Sequence, residues 1–385
     1  QLTEVDFVYR DHNDTTKVDY GMNFSHLEAR HLSGKFSNIN ITEDLIKCRV
    51  QDLTLTERSG LHIKKLYAEA TIGPKSVRAD NLYLVTDNSY LHGYYQMHTD
   101  SFGSYSDFTE KVKLAVKLTD SSFVNPIDIS YFVNFFKGFD EKINVSGTFS
   151  GPVAHLRSNN LQFSAYEHTG FNGSFEIKGL PNIDSTYLKL NAKKLSTHYY
   201  DLVRVPDYPF DAGKSLVLPH NIKKLGRVVF SGKAEGYLHD LFITGGFNTA
   251  LGQIAANATL KTPSGKEIAY SGYFKTVGFN IGSLVESPQV GEVSLDARIE
   301  GSGATVKTLN AKVEGRIQAV RYNHYVYHAI DVNGTFRNRL FNGTLSSADS
   351  NANFHFTGKA DLSKKIPEMN ADIAIYRLDM YKCHL

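Results

Sequence analysis

The feature that most constrains this chain is a period of two. In Lys111-Val112-Lys113-Leu114-Ala115-Val116-Lys117-Leu118, the apolar Val112, Leu114, Val116 and Leu118 fall on one side and the lysines on the other. Successive side chains of an extended strand point to opposite faces, so this pattern makes a half-buried strand with one wet face. The alternation returns at Ile143, Val145, Gly147 and Phe149, then at Leu188, Leu190 and Ala192. It continues at Ile254 to Leu260, Val293 to Ile299, Val313 to Ala319, and Ala371 to Ile375. With Tyr 22 and Phe 24 against Met 4 and Trp 0, the composition also favours a pleated surface.

Ser59-Gly60, Asn172-Gly173, Gly245-Gly246, Ser264-Gly265, Asn333-Gly334 and Asn342-Gly343 read as the turns between strands, because Asn-Gly accepts the positive φ of tight hairpins. Strands joined by short turns make an antiparallel meander. Helical pattern is confined to Pro126–Phe136, His198–Val203 and Asn280–Val285, each too short to hold alone. These points recur roughly every 70–80 residues, the signature of a degenerate repeat array. A Gly-bearing strand follows each: Val145–Gly151, Val229–Gly236 and Arg298–Gly303. The expected organisation is four segments of one continuous sheet: 1–125, 126–205, 206–285 and 286–385.

A long sheet must cover its apolar face, and the chain holds too little helix to do so. Two solutions stay open from the residues alone. The sheet closes on itself as a packed adhesin-like or structural β protein, or it curls into a trough filled by something else, for which acyl chains are suited. The fold expected is mostly β: an elongated, antiparallel, curled (taco-like) groove of degenerate repeats with a few short helices. Val112, Leu114, Val116, Leu118, Val145, Phe149, Leu188, Leu190, Ile254, Leu295, Ile299, Val313 and Ile317 are the residues expected to line its interior.

Several function classes recede. Lys+Arg 42 against Asp+Glu 40, with basic pairs scattered, gives no footprint for nucleic acid. Cys48 and Cys383 form no C-x-x-C pair. No run of about 18 apolar residues spans a membrane. The sequence lacks H-E-x-x-H, G-x-S-x-G and P-loop motifs. His324 and His328 stand four apart, a metal-ligand spacing on a helix but not on the strand that Tyr322, Tyr325 and Tyr327 favour. The expectation is therefore no enzyme, no metal and no cofactor.

Leu53-Thr54-Leu55-Thr56-Glu57-Arg58-Ser59-Gly60-Leu61, followed by Leu66 and Ala68, resembles a phrase of TamB-like proteins (the translocation and assembly module, AsmA superfamily) of the Bacteroidota type. Asn81–Leu91, Gly179-Leu180-Pro181-Asn182 and Leu195-Ser196-Thr197 resemble later phrases in the same order. The resemblance implies a middle-to-late segment of an inner-membrane-anchored periplasmic protein, the anchor lying outside this segment. It also implies phospholipid passage toward the outer membrane, a BamA/TamA-type outer-membrane barrel as partner, and no catalytic residues to carry over.

Overall fold

The computed structural model describes all residues except 14–16, 102–103, 105–106, 134–135, 207–214, 263–267, 304–307, 365, 367 and 385. The chain is mostly β, with 22 strands and a few short helices among the described residues, and the described pairings are all antiparallel. It divides into two compact units: Gln1–Thr186 with Tyr200–Val217, and Tyr187–Tyr199 with Leu218–Leu385.

The first unit holds β1 (Leu2–Arg10), β2 (His26–Ile41), β3 (Ile46–Glu57), β4 (His62–Gly73), β5 (Ser76–Thr86), β6 (Tyr90–His98), β7 (Lys113–Leu118), β8 (Phe123–Val124), β9 (Ile143–Gly151), β10 (His155–Ala165) and β11 (Thr169–Lys178). Each strand pairs with its neighbours in sequence, except that β7 and the two-residue β8 share the place between β6 and β9. Helices α1 (Phe108–Lys111) and α2 (Pro126–Ser130) interrupt it, and α3 (Tyr199–Leu202) begins at its boundary.

The second unit is an unbroken meander: β12 (Tyr187–His198), β13 (Arg227–Tyr237), β14 (Asp240–Thr249), β15 (Gly252–Lys261), β16 (Ala269–Asn280), β17 (Val290–Ser302), β18 (Asn310–Tyr322), β19 (Tyr325–Arg337), β20 (Leu340–Ala348), β21 (Ala352–Asp361) and β22 (Glu368–Leu378). Its helix is α4 (Ile281–Val285), beside a 3-10 turn at His220–Leu225. The three expected helical points are thus α2, α3 and α4. Each is held by a polar cap or peg rather than by length. Asn125 accepts from the Ile127 amide at 3.1 Å and Asn280 from the Ser283 amide at 2.9 Å, the side-chain capping that short helices need.

The turns lie elsewhere than the Gly dipeptides suggest. Ser59-Gly60 does close the β3–β4 hairpin, and Ser264-Gly265 lies outside the described residues. Asn172-Gly173, Gly245-Gly246, Asn333-Gly334 and Asn342-Gly343 instead sit inside β11, β14, β19 and β20. The β18–β19 and β19–β20 connections are two-residue loops at Asn323-His324 (φ 43° and 71°) and Asn338-Arg339 (φ 49° and 65°). Positive φ at both loop residues is the backbone of a type I′ hairpin. Asn tolerates it, so these turns form without glycine.

The glycines inside strands answer a packing need. A Cβ on Gly334 would stand 2.7 Å from the Phe341 ring, and one on Gly245 would stand 2.7 Å from the Phe230 ring. The ring occupies the space that any side chain would fill, which offsets the weak strand preference of glycine.

Candidate ligand-binding face

The registers assign each strand residue to a face. In the second unit one lane crosses the whole meander as Leu190, Ala234, Ile243, Ala258, Gly272, Ile299, Val313, Gly334, Gly343, Gly358 and Ala371. Its neighbour on the same face runs Ala192, Gly232, Gly245, Ala256, Phe274, Ala297, Gly315, Val332, Leu345, Phe356 and Ile373. Neither lane carries a polar side chain. One residue along, the opposite face reads Lys189, Glu235, Phe242, Thr259, Ser271, Glu300, Lys312, Thr335, Asn342, Lys359 and Asn370. The first unit repeats this division. Ile41, Ile46, Ile72, Val77, Met97, Leu114 and Gly151 form one apolar lane, while Lys47, Thr71, Arg78, Gln96, Ala115 and Ser150 share the other face.

The apolar face is not sealed. In a closed two-sheet core the large side chains would be the buried ones. Here the fully buried members are mostly small, such as Ala258 and Ala297. Leu190, Ile243, Ile254, Leu295, Ile299, Val313, Ile317 and Leu345 all keep part of their surface in solvent. The accessible surface of the chain is 22152 Å². Two separate compact bodies of half its mass would expose only about 18,000 Å². The floor itself is smooth. Phe230 stacks toward Phe247 at 4.7 Å between ring centres and lies over Gly232 and Gly245. Phe341 covers Gly334 and meets Phe356 at 6.0 Å. Flat rings over glycines fill the relief that alternating large and absent side chains would otherwise leave. A hollow of about 970 Å³, lined by Asp240, Lys261, Glu300, Asn310 and Lys312 among others, opens on the opposite, charged face.

The sequence-expected lining residues fall as follows. Leu114, Val116 and Leu118 of β7 and Val145 and Phe149 of β9 share the apolar face of the first unit. Leu188, Leu190, Ile254, Leu295, Ile299, Val313 and Ile317 share that of the second. Val112 departs from the expectation. It caps the C-terminus of α1, ahead of β7, and is 0% exposed. Its amide bonds to the Phe108 carbonyl at 3.3 Å, so the alternation that begins at Leu114 does not extend back to it. Lys113 and Lys117 stand exposed, as a wet face requires. The aromatic members Phe230, Phe247, Phe274, Phe336, Phe341 and Phe356 were not singled out from the sequence. Their signal is a Phe and a Gly two positions apart, as in Phe230–Gly232, Gly334–Phe336 and Phe356–Gly358.

Buried carboxylates fix one end of the strands. Asp128 of α2 accepts from Thr86 Oγ1 at 2.6 Å, Ser89 Oγ at 2.5 Å and Asn88 Nδ2 at 3.0 Å, pinning α2 to the β5–β6 turn. Asp201 of α3 accepts from the His168 amide at 2.8 Å and Thr169 Oγ1 at 2.9 Å at the β10–β11 turn. Burial pushes the Asp201 carboxyl up, but those donors outweigh it and hold the group below its usual range. Asp349, in the β20–β21 turn, accepts from Tyr325 Oη at 2.7 Å and from the amides of Asn351, His328 and Ala352 at 2.8, 3.0 and 3.2 Å. It too is held low against the upward push of its burial. Glu57, the acidic residue of the L-x-L-x-E-x-S-G phrase, is buried and accepts from the Glu28 and Ser59 amides at 3.2 and 2.7 Å. These carboxylates are saturated by donors from the fold, so their chemistry is to anchor turns.

Among the described residues no group of three His, Cys, Asp or Glu side chains is placed to hold a metal ion. His324 sits in the β18–β19 loop and packs edge-on toward His384 at 6.3 Å, while His328 lies within β19. Cys48 and Cys383 are free thiols. Burial, then Asp349 and Asp379, push the Cys383 thiol up and leave it protonated at neutral pH. No helix among the described residues is long and apolar enough to cross a membrane. Compared with known proteins, the chain matches no family model, no curated protein and no solved structure.

Proposed function

We propose that this chain is a non-catalytic carrier whose apolar sheet faces cradle the acyl chains of lipids. The carrying observation is the pair of unbroken apolar lanes from β12 to β22, in which Leu190, Ile243, Ile299, Val313 and Leu345 remain partly in solvent among glycines and alanines. Such a surface invites a partner, since large contiguous apolar patches are uncommon on proteins that work alone in water. A smooth floor of rings and glycines offers contact everywhere and a pocket nowhere. That suits a chain that slides rather than one that is clasped. A closed adhesin-like core would instead bury Leu190, Ile299 and Val313 completely.

The resemblance to TamB-like proteins extends this reading. It suggests a periplasmic setting, phospholipid moving between inner and outer membranes, an anchor in the inner membrane, and a BamA/TamA-type barrel as the partner whose assembly the lipid supply supports. The test is native mass spectrometry with lipid extraction on the chain purified from a bacterial periplasm. Co-purifying phospholipid is expected. It should be lost when Leu114 and Leu190 are replaced by glutamate, with circular dichroism unchanged. A lipid-free parent chain would overturn the proposal.

A further inference from the structure

The hollow of about 970 Å³ on the polar face of the second unit is a trench laid across the strands. Asp240 of β14, Thr259 of β15, Ser271 of β16, Glu300 of β17, Lys312 of β18 and Thr335 of β19 all line it. Crossing that many strands at their usual spacing makes it about 24 Å long. The register sets Thr259, Ser271, Glu300, Lys312 and Thr335 in a single lane along its bed. Elsewhere on this face, opposite charges that meet across neighbouring strands close on one another. Lys189 reaches Glu235 at 3.1 Å, Lys261 reaches Asp240 at 3.2 Å, and the Lys275–Asp296 and Arg316–Asp331 pairs stand at 3.7 Å. Glu300 and Lys312 meet in the same way, as do Arg298 and Glu314 in the next lane, yet none of these four side chains bonds to another described residue. The cations can only donate and the carboxylates can only accept, so both kinds of group stand uncommitted in one place. Two rings stand beside them. Phe242, the register partner of Thr259, is 48% exposed, and Tyr273, two residues along from Ser271 on the same face, is 50% exposed. Strand spacing and rise put their backbones about 12 Å apart.

We infer that this trench binds a linear oligosaccharide, of the class built from β-1,4-linked pyranoses with equatorial hydroxyls. Such a sugar carries hydroxyls around its rim, each both donor and acceptor, and C–H bonds on its two flat faces. The hydroxyls match a bed that mixes the free ammonium, guanidinium and carboxylate groups with the hydroxyls of Thr259 and Ser271. The polarised C–H bonds match the negative face of an exposed aromatic ring. The volume lies at the upper end of small-ligand sites, and its extension over β14 to β19 suits a polymer more than a compact molecule. The lining charges balance, Asp240 and Glu300 against Lys261 and Lys312, so there is no field to gather a polyanion such as nucleic acid. A peptide bound by strand addition needs an open edge, and β15 to β18 are each paired on both sides. The trench lies on the face away from the apolar lanes, so this inference goes beyond the lipid reading and does not rest on it.

The experiment titrates the whole chain with cellohexaose and with chitohexaose by isothermal calorimetry, with saturation-transfer NMR on the same samples. Saturable binding below about 1 mM is expected for one or both sugars, with the strongest saturation on the axial ring protons. Phe242→Ala should weaken it about tenfold. Combining Glu300→Ala with Lys312→Ala should weaken it by a similar factor, with circular dichroism unchanged in both cases. Lys359→Ala, on the same face but at β21 and outside the trench, should leave it as it was. The inference is overturned if neither sugar binds up to about 10 mM, or if polyphosphate or an unfolded peptide binds as well as the sugars. It is overturned equally if binding is indifferent to Phe242→Ala or to the double change, or if Lys359→Ala costs as much as they do. Each readout stands whether or not lipid occupies the other face.

Discussion

A single carboxylate placed where the proposed lipid would lie separates a ligand face from a packing face. Ile299 of β17 pairs with Val313 of β18 in the middle of the apolar lanes, and the adjacent pair Glu300 and Lys312 points to the other side. Without lipid Ile299 is already partly solvated. Ile299→Glu therefore forfeits only about half the burial of an aliphatic side chain, about 1–1.5 kcal/mol, and the sheet should stay folded. With lipid laid over it, the carboxylate has no partner and its easiest course is to take a proton. At pH 7 that costs 1.36 kcal/mol for each unit above its ordinary pKa of about 4.3, or about 3.7 kcal/mol. Lipid affinity at that lane should fall by roughly 100- to 500-fold. Glu300→Gln, one residue away, should leave it unchanged. The assay is titration with a fluorescent phospholipid, with urea unfolding of each variant as the check on fold. Equal lipid affinity in a folded Ile299→Glu chain and in Glu300→Gln would refute the assignment of the face. A partial recovery of affinity near pH 4 is also expected, because there the new carboxyl is already neutral.

Two further outcomes test the packing that shapes this face. Gly334→Val should destabilise the second unit by about 1–3 kcal/mol in urea, because the new side chain overpacks the Phe341 ring; Gly246→Ala on the opposite face, with nothing within 4 Å of the new carbon, should be close to neutral. Asp201 and Asp349 have carboxyls held below their unfolded value of about 3.9, so the stability they contribute is complete above that pH and is lost as pH falls through their lower folded values. Near-UV circular dichroism of the Tyr325–Tyr327 pair, whose rings stand 4.7 Å apart, should report that acid transition, and Asp349→Asn should weaken its pH dependence.

How much of this was legible in the sequence follows from the range of each interaction. The strands around Leu114, Leu190, Ile254 and Ile299 are local statements. Alternation is written residue by residue, and Lys113 and Lys117 name the wet side. The turns were misplaced for a physical reason. Asn333-Gly334 and Asn342-Gly343 look like hairpin dipeptides because glycine permits a turn, but here glycine makes room for a ring from the next strand. Only the register, which brings Phe341 over Gly334, tells the two apart. Val112 extended an alternation by one residue too many because α1 stops one residue before it. The pegs Asp128, Asp201 and Asp349 left no local mark. Many of their donors, such as Thr86 for Asp128 and Tyr325 for Asp349, come from distant stretches of chain. The apolar face could be listed from the sequence, but its exposure could not, since that depends on what lies opposite.

The meander of the second unit has a mechanical corollary. From β13 to β21 every strand is flanked by those before and after it in the chain. Tension applied between Glu368 and the far side of β12 has no clamp of distant strands to shear. It would peel one hairpin at a time, each small rupture releasing about the length of two strands. Such a sheet lengthens under load in steps and re-forms locally when the load is removed, since each hairpin needs only its own turn and its neighbour to close again. A body subject to pulling from either side would thus yield in increments instead of failing at once.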